Sequence, residues 1–177
     1  MLHALVSSAL ALTLSVPASR PAASPPLSPA VSGGPVGIAD SVVIEKRAHR
    51  LTLYHMGRVL RSYSVALGAD PAADKVRAGD RRTPEGLFSI EARNPFSLYY
   101  LALRISYPDA RHRQKAQQLG VAPGGDIMIH GLPNGRRKVG KDHRISDWTN
   151  GCIALTDEEM DEIWNAVPVG TPVEIKA

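Results

Sequence analysis

The chain contains a single cysteine, Cys152, so no disulfide can form within it. It also lacks a Cys-x-x-Cys pair and a His-x-x-x-His pair, the spacings that commonly hold zinc. A weaker hypothesis is that side chains dispersed along the chain bind a metal, and the candidate ligands are His130, His143, Asp126, Asp147 and Cys152. We therefore predict no metal and no cofactor, and we keep a metal-dependent hydrolase as a minor alternative.

Aromatic residues are scarce, at 5% of the chain, and the formal net charge is only +4. The lysines and arginines are scattered rather than collected in a stripe with interleaved aromatics. Nucleic-acid binding favours such a stripe, so a nucleic-acid partner is not predicted. The 44% hydrophobic content is that of an ordinary globular domain. The sequence does not indicate an oligomeric state.

No apolar run is long enough to span a bilayer, and the run from Leu2 to Val16 fits the apolar region of a signal peptide. We predict a signal peptide over residues 1–18, either cleaved or retained as a signal anchor, although lysine and arginine are missing from its start. Residues 19–38, rich in proline, alanine and serine, are predicted to be a disordered spacer. Residues 39–177 are predicted to be one catalytic domain. Export implies a periplasmic or cell-envelope location, where a lone thiol is either intermolecularly paired or reactive.

Short alternating runs predict a mainly β fold with one or two short helices. Met56-Gly57 is predicted to form a two-residue hairpin turn, and Thr156 with Glu159 matches a helix-starting capping box. The predicted strands cover residues 41–46, 49–55, 58–67, 86–91, 101–106, 127–130 and 171–175. The predicted helices cover residues 109–119 and 156–167.

The strongest chemical candidates are Cys152 and His130. A thiol attacks as the thiolate, and a histidine within hydrogen-bond reach can take its proton. His130 ends an apolar strand, and the carbonyl of Gly131 could accept the proton on the second imidazole nitrogen. That predicts a thiol, an imidazole and an orienting carbonyl in series.

The segment just before the cysteine is the second part of the predicted site. Backbone N–H groups of Gly151 and Cys152 are candidate oxyanion donors, and Thr149 and Asn150 complete the predicted oxyanion and substrate-binding segment. Each element also has a structural alternative, such as a buried inert cysteine or a core histidine. The other histidines are expected at the surface, with His143 the one that could join the site.

These residues resemble the L,D-transpeptidase catalytic domain of the YkuD type. The resemblance is carried by the segment from Gly79 to Phe88 with its Thr-Pro-Glu-Gly, by His130-Gly131 and by Asn150-Gly151-Cys152-Ile153. It implies a β-sandwich or partial barrel, in which Cys152 is the nucleophile and His130 its base. The implied reaction is acyl transfer on peptidoglycan stem peptides through a thioester. The implied biological role is in cell-wall organisation and cell shape.

Two departures from the family pattern are Asn150, where many members have histidine, and Ala154, where many have arginine or asparagine. The missing arginine leaves open which residue recognises the substrate carboxylate, and the candidates are Arg104, Arg136, Arg137 and Arg144. The same departures resemble the YafK-like branch. There the outcome could be hydrolysis, by an L,D-carboxypeptidase or by an amidase releasing a wall-linked lipoprotein. A catalytically inactive wall-binding module is the remaining alternative.

Overall fold

The computed structural model describes residues 34–177, so the predicted signal segment and residues 19–33 of the predicted spacer lie outside the described part. Within that range the strands are β1 (Ser41–Glu45), β2 (Arg50–His55), β3 (Arg58–Ser64), β4 (Gly86–Ser97), β5 (Tyr100–Ile105), β6 (Met128–His130), β7 (Ile153–Ala154) and β8 (Pro172–Lys176). The helices are α1 (Ala110–Gln118), a 3₁₀ helix (Arg137–Ile145) and α2 (Asp157–Ala166). The predicted mainly β class is confirmed.

All eight described strands form one mixed sheet in the order β3-β2-β1-β8-β4-β5-β6-β7. Most neighbours are antiparallel, but β1 pairs with β8 and β6 pairs with β7 in parallel. The β6–β7 register places Ile129 opposite Ile153 and His130 opposite Ala154. Cys152 therefore lies one residue before the strand that runs beside the histidine.

The two outer edges of this sheet are joined, which gives the partial barrel that the sequence resemblance implies. Just beyond β3, Ala66 donates to and accepts from Ala154 of β7, at N···O distances of 3.0 and 2.8 Å. A further bridge joins Gly68 to Thr149. Since backbone pairing satisfies both edges here, the segment before the cysteine is held on two sides.

The core lies on the inner face of the sheet and follows the alternation read from the sequence. Val42 and Ile44 of β1 are buried, and their register partners on β8, Val173 and Ile175, are buried with them. Each such aliphatic side chain contributes about 1.5–3 kcal/mol when fully buried. The fold therefore rests on apolar contacts between strands distant in sequence.

Helix α2 covers this core and begins as predicted. Thr156 accepts from the Glu159 N–H, and the Glu159 carboxylate accepts from the Thr156 N–H, which completes the capping box. Such a cap is worth about 1 kcal/mol. Met160 and Ile163 are fully buried on its inner face. No helix among residues 34–177 combines the length and apolar character that a membrane crossing requires.

Three elements differ from the sequence prediction. Strand β4 continues to Ser97 and forms a long hairpin with β5, where only residues 86–91 were predicted. The 3₁₀ helix, kinked at Gly140, was not predicted, and neither was the two-residue strand β7. A strand of two residues carries no periodicity, so its sequence could not reveal it.

The expectation that His112 lies at the surface is wrong. His112 is buried on α1 between two carboxylates, with Nδ1 2.6 Å from Asp109 and Nε2 3.1 Å from Asp74. Burial opposes its positive charge, but the hydrogen bonds that the ring donates to these carboxylates raise the pKa of His112 above its ordinary value. The cluster fastens α1 to the loop before β4.

Candidate active site

His130 ends strand β6 and is almost fully buried, at 4% exposed. Its Nδ1 lies 2.7 Å from the carbonyl oxygen of Gly131. A carbonyl only accepts, so we infer that Nδ1 carries the proton and Nε2 has the free lone pair. The geometry places the imidazole and orienting carbonyl as the sequence predicted, with Nε2 in the tautomer that a general base requires.

Gly131 is a glycine because other groups approach it closely. A Cβ at this position would lie 2.8 Å from a carboxylate oxygen of Asp157 and 3.0 Å from the Cβ of Tyr100. The Gly131 N–H donates to the Tyr99 and Leu101 carbonyls of the β4–β5 hairpin and β5. The carbonyl that orients the histidine is thus fixed by packing on both sides.

Thr149 organises the turn that presents the cysteine. Its Oγ1 accepts from the Gly151 N–H at 3.0 Å and donates to the Cys152 carbonyl at 2.8 Å. The Gly151 N–H, predicted as an oxyanion donor, is therefore engaged within the turn. This removes Gly151 as a free donor, and the Cys152 N–H remains as the backbone candidate.

The turn is pressed against the loop before β4. Gly151 has a φ of 125°, and a Cβ on it would lie 2.5 Å from the carbonyl oxygen of Arg82. A Cβ on Gly68 would lie 2.3 Å from the Arg81 carbonyl oxygen and 2.9 Å from the Gly151 Cα. Only glycine fits at either position. The Thr-Pro-Glu-Gly segment follows these carbonyls. Its Thr83 Oγ1 accepts from the Gly68 N–H, and none of its residues lines the cavity described below.

The Cys152 thiol lies in a mostly buried environment. Its Sγ donates to the Asp126 carbonyl at 3.6 Å, and no hydrogen bond to His130 occurs within the described chain. Burial raises the pKa of the Cys152 thiol above its ordinary value, while the Met128 backbone N–H and, more weakly, the Lys75 ammonium lower it. The resting thiol is thus neutral at pH 7.

Burial lowers the pKa of His130 to about 4, although its hydrogen bond to Gly131 opposes this shift. The imidazole is therefore also neutral at pH 7. The resting site holds a neutral thiol and a neutral base, and not a thiolate–imidazolium pair. A thiolate is therefore not present in the resting site.

Cys152 and His130 line one cavity of about 340 Å³. Its wall is formed by the tip of the β4–β5 hairpin, the segment before β6 and the turn before β7: Asn94, Ser97, Leu98, Tyr99, Asp126, Met128, His130, Trp148, Thr149, Asn150 and Cys152. Of the predicted site residues, Thr149 and Asn150 therefore reach the cavity with the cysteine and histidine. Gly151 lies behind them.

Two aromatic residues that the sequence did not indicate shape this cavity. The Tyr99 ring centroid lies 4.6 Å from that of His130, and the Trp148 ring lies 5.9 Å away. Asn134 holds the hairpin tip in place, because its side chain bonds the Tyr100 N–H and the Ser97 carbonyl. Trp148 sits four residues before Cys152, and this closeness in sequence is the one signal that could have pointed to it.

The four arginines considered for carboxylate recognition have different partners. Arg137 pairs with Glu158 and Arg144 with Glu159, and Arg104 lies near Glu91 and Asp126. Arg136 is exposed and has no side-chain partner among residues 34–177. No group of three or more metal-binding side chains is assembled in that range. Asp147, from the dispersed metal set, instead accepts from the Leu67 N–H and contacts His49.

Comparison with known proteins identifies the family of this chain. The sequence model of the YkuD family, described as the L,D-transpeptidase catalytic domain, matches residues 39–175. The chain belongs to the L,D-transpeptidase catalytic-domain family. The resemblance drawn from the His-Gly and Gly-Cys segments is thereby confirmed.

Individual relatives agree with this assignment. The L,D-transpeptidase domain is 31% identical over 137 residues to the candidate L,D-transpeptidase YqjB of Bacillus subtilis, covering 76% of this chain and 69% of that protein. It is 32% identical over 142 residues to the candidate L,D-transpeptidase YafK of Escherichia coli K12, covering 76% of this chain and 48% of that protein.

A solved structure shows the same fold. The helical cell shape determining protein Pgp2 of Campylobacter jejuni superposes with a TM-score of 0.60 and 25% identity, over 80% of this chain and 50% of that chain. The L,D-transpeptidase domain thus spans about half the length of YafK and of Pgp2.

The depressed pKa of His130 predicts a loss of stability in acid. The unfolded histidine binds a proton near pH 6.5, whereas the folded one does so near pH 4. The unfolded state therefore binds more protons between these values, and stability falls as pH drops through this window. We expect His130 alone to remove about 3 kcal/mol of unfolding free energy between pH 6.5 and 4.

Urea unfolding of the wild type and of His130→Gln at pH 6.5, 5 and 4 measures this contribution. The glutamine cannot titrate, so the variant is expected to lose distinctly less stability across the window. An identical pH dependence in both proteins contradicts the assignment.

Proposed function

We propose that this protein is a cysteine acyltransferase that acts on peptidoglycan stem peptides through a thioester on Cys152. The single observation that carries the proposal is the placement of Cys152 and His130 in one cavity, with the His130 Nε2 lone pair left free. The family supports the substrate class. A neutral buried imidazole in the same cavity as a thiol is suited to accepting the thiol proton and then donating it to the leaving group.

In the first half of the proposed reaction, the Cys152 Sγ–H leaves its contact with the Asp126 carbonyl and gives its proton to Nε2 of His130. Sulfur attacks the carbonyl carbon of the L-centre that precedes D-alanine, and the Cys152 N–H faces the developing oxyanion. The C–N bond breaks as the imidazolium returns its proton to the leaving D-alanine nitrogen. The products are a thioester, free D-alanine and a neutral His130.

In the second half, an acceptor resolves the thioester. The amine of another stem peptide gives its proton to His130, attacks the thioester carbonyl and releases the Cys152 thiolate, which regains the proton. Water in the place of the amine gives hydrolysis with the same proton transfers. The departures at Asn150 and Ala154 keep hydrolysis as the second candidate, because the arginine that many members carry beside the cysteine is replaced by an alanine.

The proposed place of action is the cell envelope, since peptidoglycan lies there and residues 2–16 have the composition of a signal peptide. Similarity to Pgp2 supports a role in wall remodelling that affects cell shape. Cell fractionation tests the location, and recovery in the cytoplasm alone would contradict it.

Product analysis separates transfer from hydrolysis. A stem tetrapeptide whose side-chain amine is acetylated is incubated with the protein in water enriched in ¹⁸O, with and without a second stem peptide that carries a free amine as acceptor. We expect D-alanine release in both cases, a cross-linked product when acceptor is present, and a tripeptide carrying ¹⁸O when it is absent. Mass spectrometry measures both products.

Cys152→Ser provides the matched control for contaminating hydrolases. If saturating acceptor yields only the labelled tripeptide, the protein is a hydrolase. If no D-alanine is released under either condition, the acyltransferase proposal fails.

A further inference from the structure

A second cavity shares Trp148 with the catalytic cavity. It measures about 290 Å³ and is lined by Leu132, Pro133, Arg136, Val139, Asp142, His143, Ser146 and Trp148. Trp148 thus forms part of both cavities. The second cavity is built almost wholly from the chain between His130 and Cys152, including the 3₁₀ helix.

The decisive feature is a buried hydrogen-bond donor without a partner. His143 was expected in a polar loop, but it is 8% exposed and its Nε2 has no hydrogen-bond partner in the described chain. The Trp148 indole N–H points at His143 Nδ1 at 3.5 Å. An indole nitrogen only donates, so Nδ1 is the acceptor and Nε2 bears the proton. A buried N–H of this kind costs about 1–3 kcal/mol unless an acceptor satisfies it.

Burial, with the charge of Arg144 and the proximity of His130, lowers the pKa of His143 to about 4. The ring is therefore neutral at pH 7, as the tautomer requires. His143 then offers one N–H to a ligand and carries no charge of its own.

Charged side chains of both signs face the same cavity. Arg136 is the one member of the four candidate arginines without a carboxylate partner in the described range, and Asp142 has no hydrogen bond there. The surrounding stretch is basic, since five of the chain's lysines and arginines fall between residues 136 and 144. The prediction that lysines and arginines are scattered along the chain is wrong for residues 136–144.

We propose that this second cavity binds the α-amino acid group, a carboxylate with an ammonium on the same carbon, and so forms a subsite beside the catalytic cavity. Arg136 and the His143 N–H bind the carboxylate, and Asp142 binds the ammonium. The carbon that carries the carboxylate and the ammonium contacts Leu132, Val139 and the Trp148 ring. The inference rests on the proposed function for its substrate class.

Two sources can supply this group. One is free D-alanine, the leaving product of the proposed first half-reaction. The other is the amino-carboxylate end of a diamino acid side chain in a stem peptide. Both sources carry the same α-amino acid group, so the experiment uses a different probe for each source.

The test uses the Cys152→Ala protein, in which binding is observed without turnover. The chain has two tryptophans, so a ¹⁵N-labelled sample gives two indole N–H signals, assigned with Trp164→Phe. Trp164 packs against Arg93 at 4.0 Å and lines neither cavity, so its signal is an internal reference. The probes are D-alanine, D-alanine amide, N-acetyl-D-alanine, a stem tetrapeptide and the same tetrapeptide amidated at its diamino acid carboxylate.

We expect the Trp148 signal to shift with D-alanine or with the unmodified tetrapeptide. Because Trp148 lines both cavities, the shift is assigned to the second cavity only where Arg136→Ala weakens it, and the probe that responds in this way identifies the source. The responding probe's amidated counterpart is expected to bind about tenfold more weakly, as loss of one charge-assisted contact implies. If D-alanine responds, N-acetyl-D-alanine is expected to weaken similarly. Arg136→Ala is expected to cause a similar loss, whereas Lys138→Ala, which removes an equal charge outside the cavity wall, is expected to retain binding.

The subsite is contradicted if neither D-alanine nor the tetrapeptide moves the Trp148 signal. It is also contradicted if Arg136→Ala and Lys138→Ala weaken binding equally, because the effect is then one of general charge. Since no step of this experiment needs catalysis, it can succeed when product analysis shows no acyl transfer. Conversely, acyl transfer with no Trp148 response overturns the subsite alone.

Discussion

The Cys152→Ala protein is expected to release D-alanine from a stem tetrapeptide at least about 10⁴-fold more slowly than the wild type. The reason is that no other side chain in the cavity can form the thioester, and the backbone donors alone stabilise only the oxyanion. Two measurements check this: the rate of D-alanine release, and intact-protein mass spectrometry for an adduct equal to the tetrapeptide less D-alanine. Only the wild type is expected to carry that adduct.

Cys152→Ser keeps the shape of the side chain and serves as the matched variant. Its hydroxyl is a far weaker nucleophile beside a histidine whose pKa is about 4. Both variants are expected to unfold at a temperature close to that of the wild type, because the sulfur makes only a long hydrogen bond to the Asp126 carbonyl and a contact with the Met128 N–H. If Cys152→Ala still releases D-alanine at the wild-type rate, Cys152 is not the nucleophile.

The His130→Gln protein is expected to lose about 10²- to 10⁴-fold in kcat/KM, the usual contribution of a positioned general base. Its pH profile is the sharper readout. In the wild type the base is active while neutral, so kcat/KM is expected to fall as pH drops through about 4 and to hold above that value. In the variant this acid limb disappears, and the residual rate rises with pH because the thiol must ionise unaided.

His55→Gln is a matched control, since His55 lies exposed on β2, far along the chain from both cavities. It is expected to reproduce the wild-type rate and profile. An acid limb near pH 4 that persists in His130→Gln belongs to another group and contradicts the assignment of His130 as base.

Features set by neighbouring residues were predictable from the sequence. The hairpin at Met56-Gly57 is formed with both residues at positive φ, and the Thr156–Glu159 capping box is complete. In each case the residues that decide the structure lie within three positions of one another, so local rules suffice. The imidazole–carbonyl contact of His130 and Gly131 belongs to the same group.

Features set by distant contacts were not predictable. Closure of the sheet through Ala66 and Ala154 joins residues 88 positions apart, and alanine carries no pairing signal. The burial of His112 depends on Asp74, 38 positions away. The sequence of α1 is charged and glutamine-rich, so it gives no sign that one face of the helix is packed. His112 was therefore predicted to lie at the surface.

The site shows the same division. The Thr149-x-Gly151 turn could have been read as a hydroxyl-capped turn that uses up the glycine N–H, and the oxyanion prediction overlooked this. Tyr99 could not have been found in this way. It reaches the cavity only because β4 and β5 form a long hairpin that Asn134 holds over the histidine.

The side-by-side pairing of β6 and β7 has a consequence for how members of this family can diverge. The strands fix the histidine and the cysteine next to each other, while the chain that joins them leaves the sheet and returns. Parallel neighbours always require such a long connection. Residues 135–146, which form the 3₁₀ helix and most of the second cavity, can therefore change in length and charge while the spacing between sulfur and imidazole is retained. Substrate preference and reactivity are thus open to separate selection within one small domain.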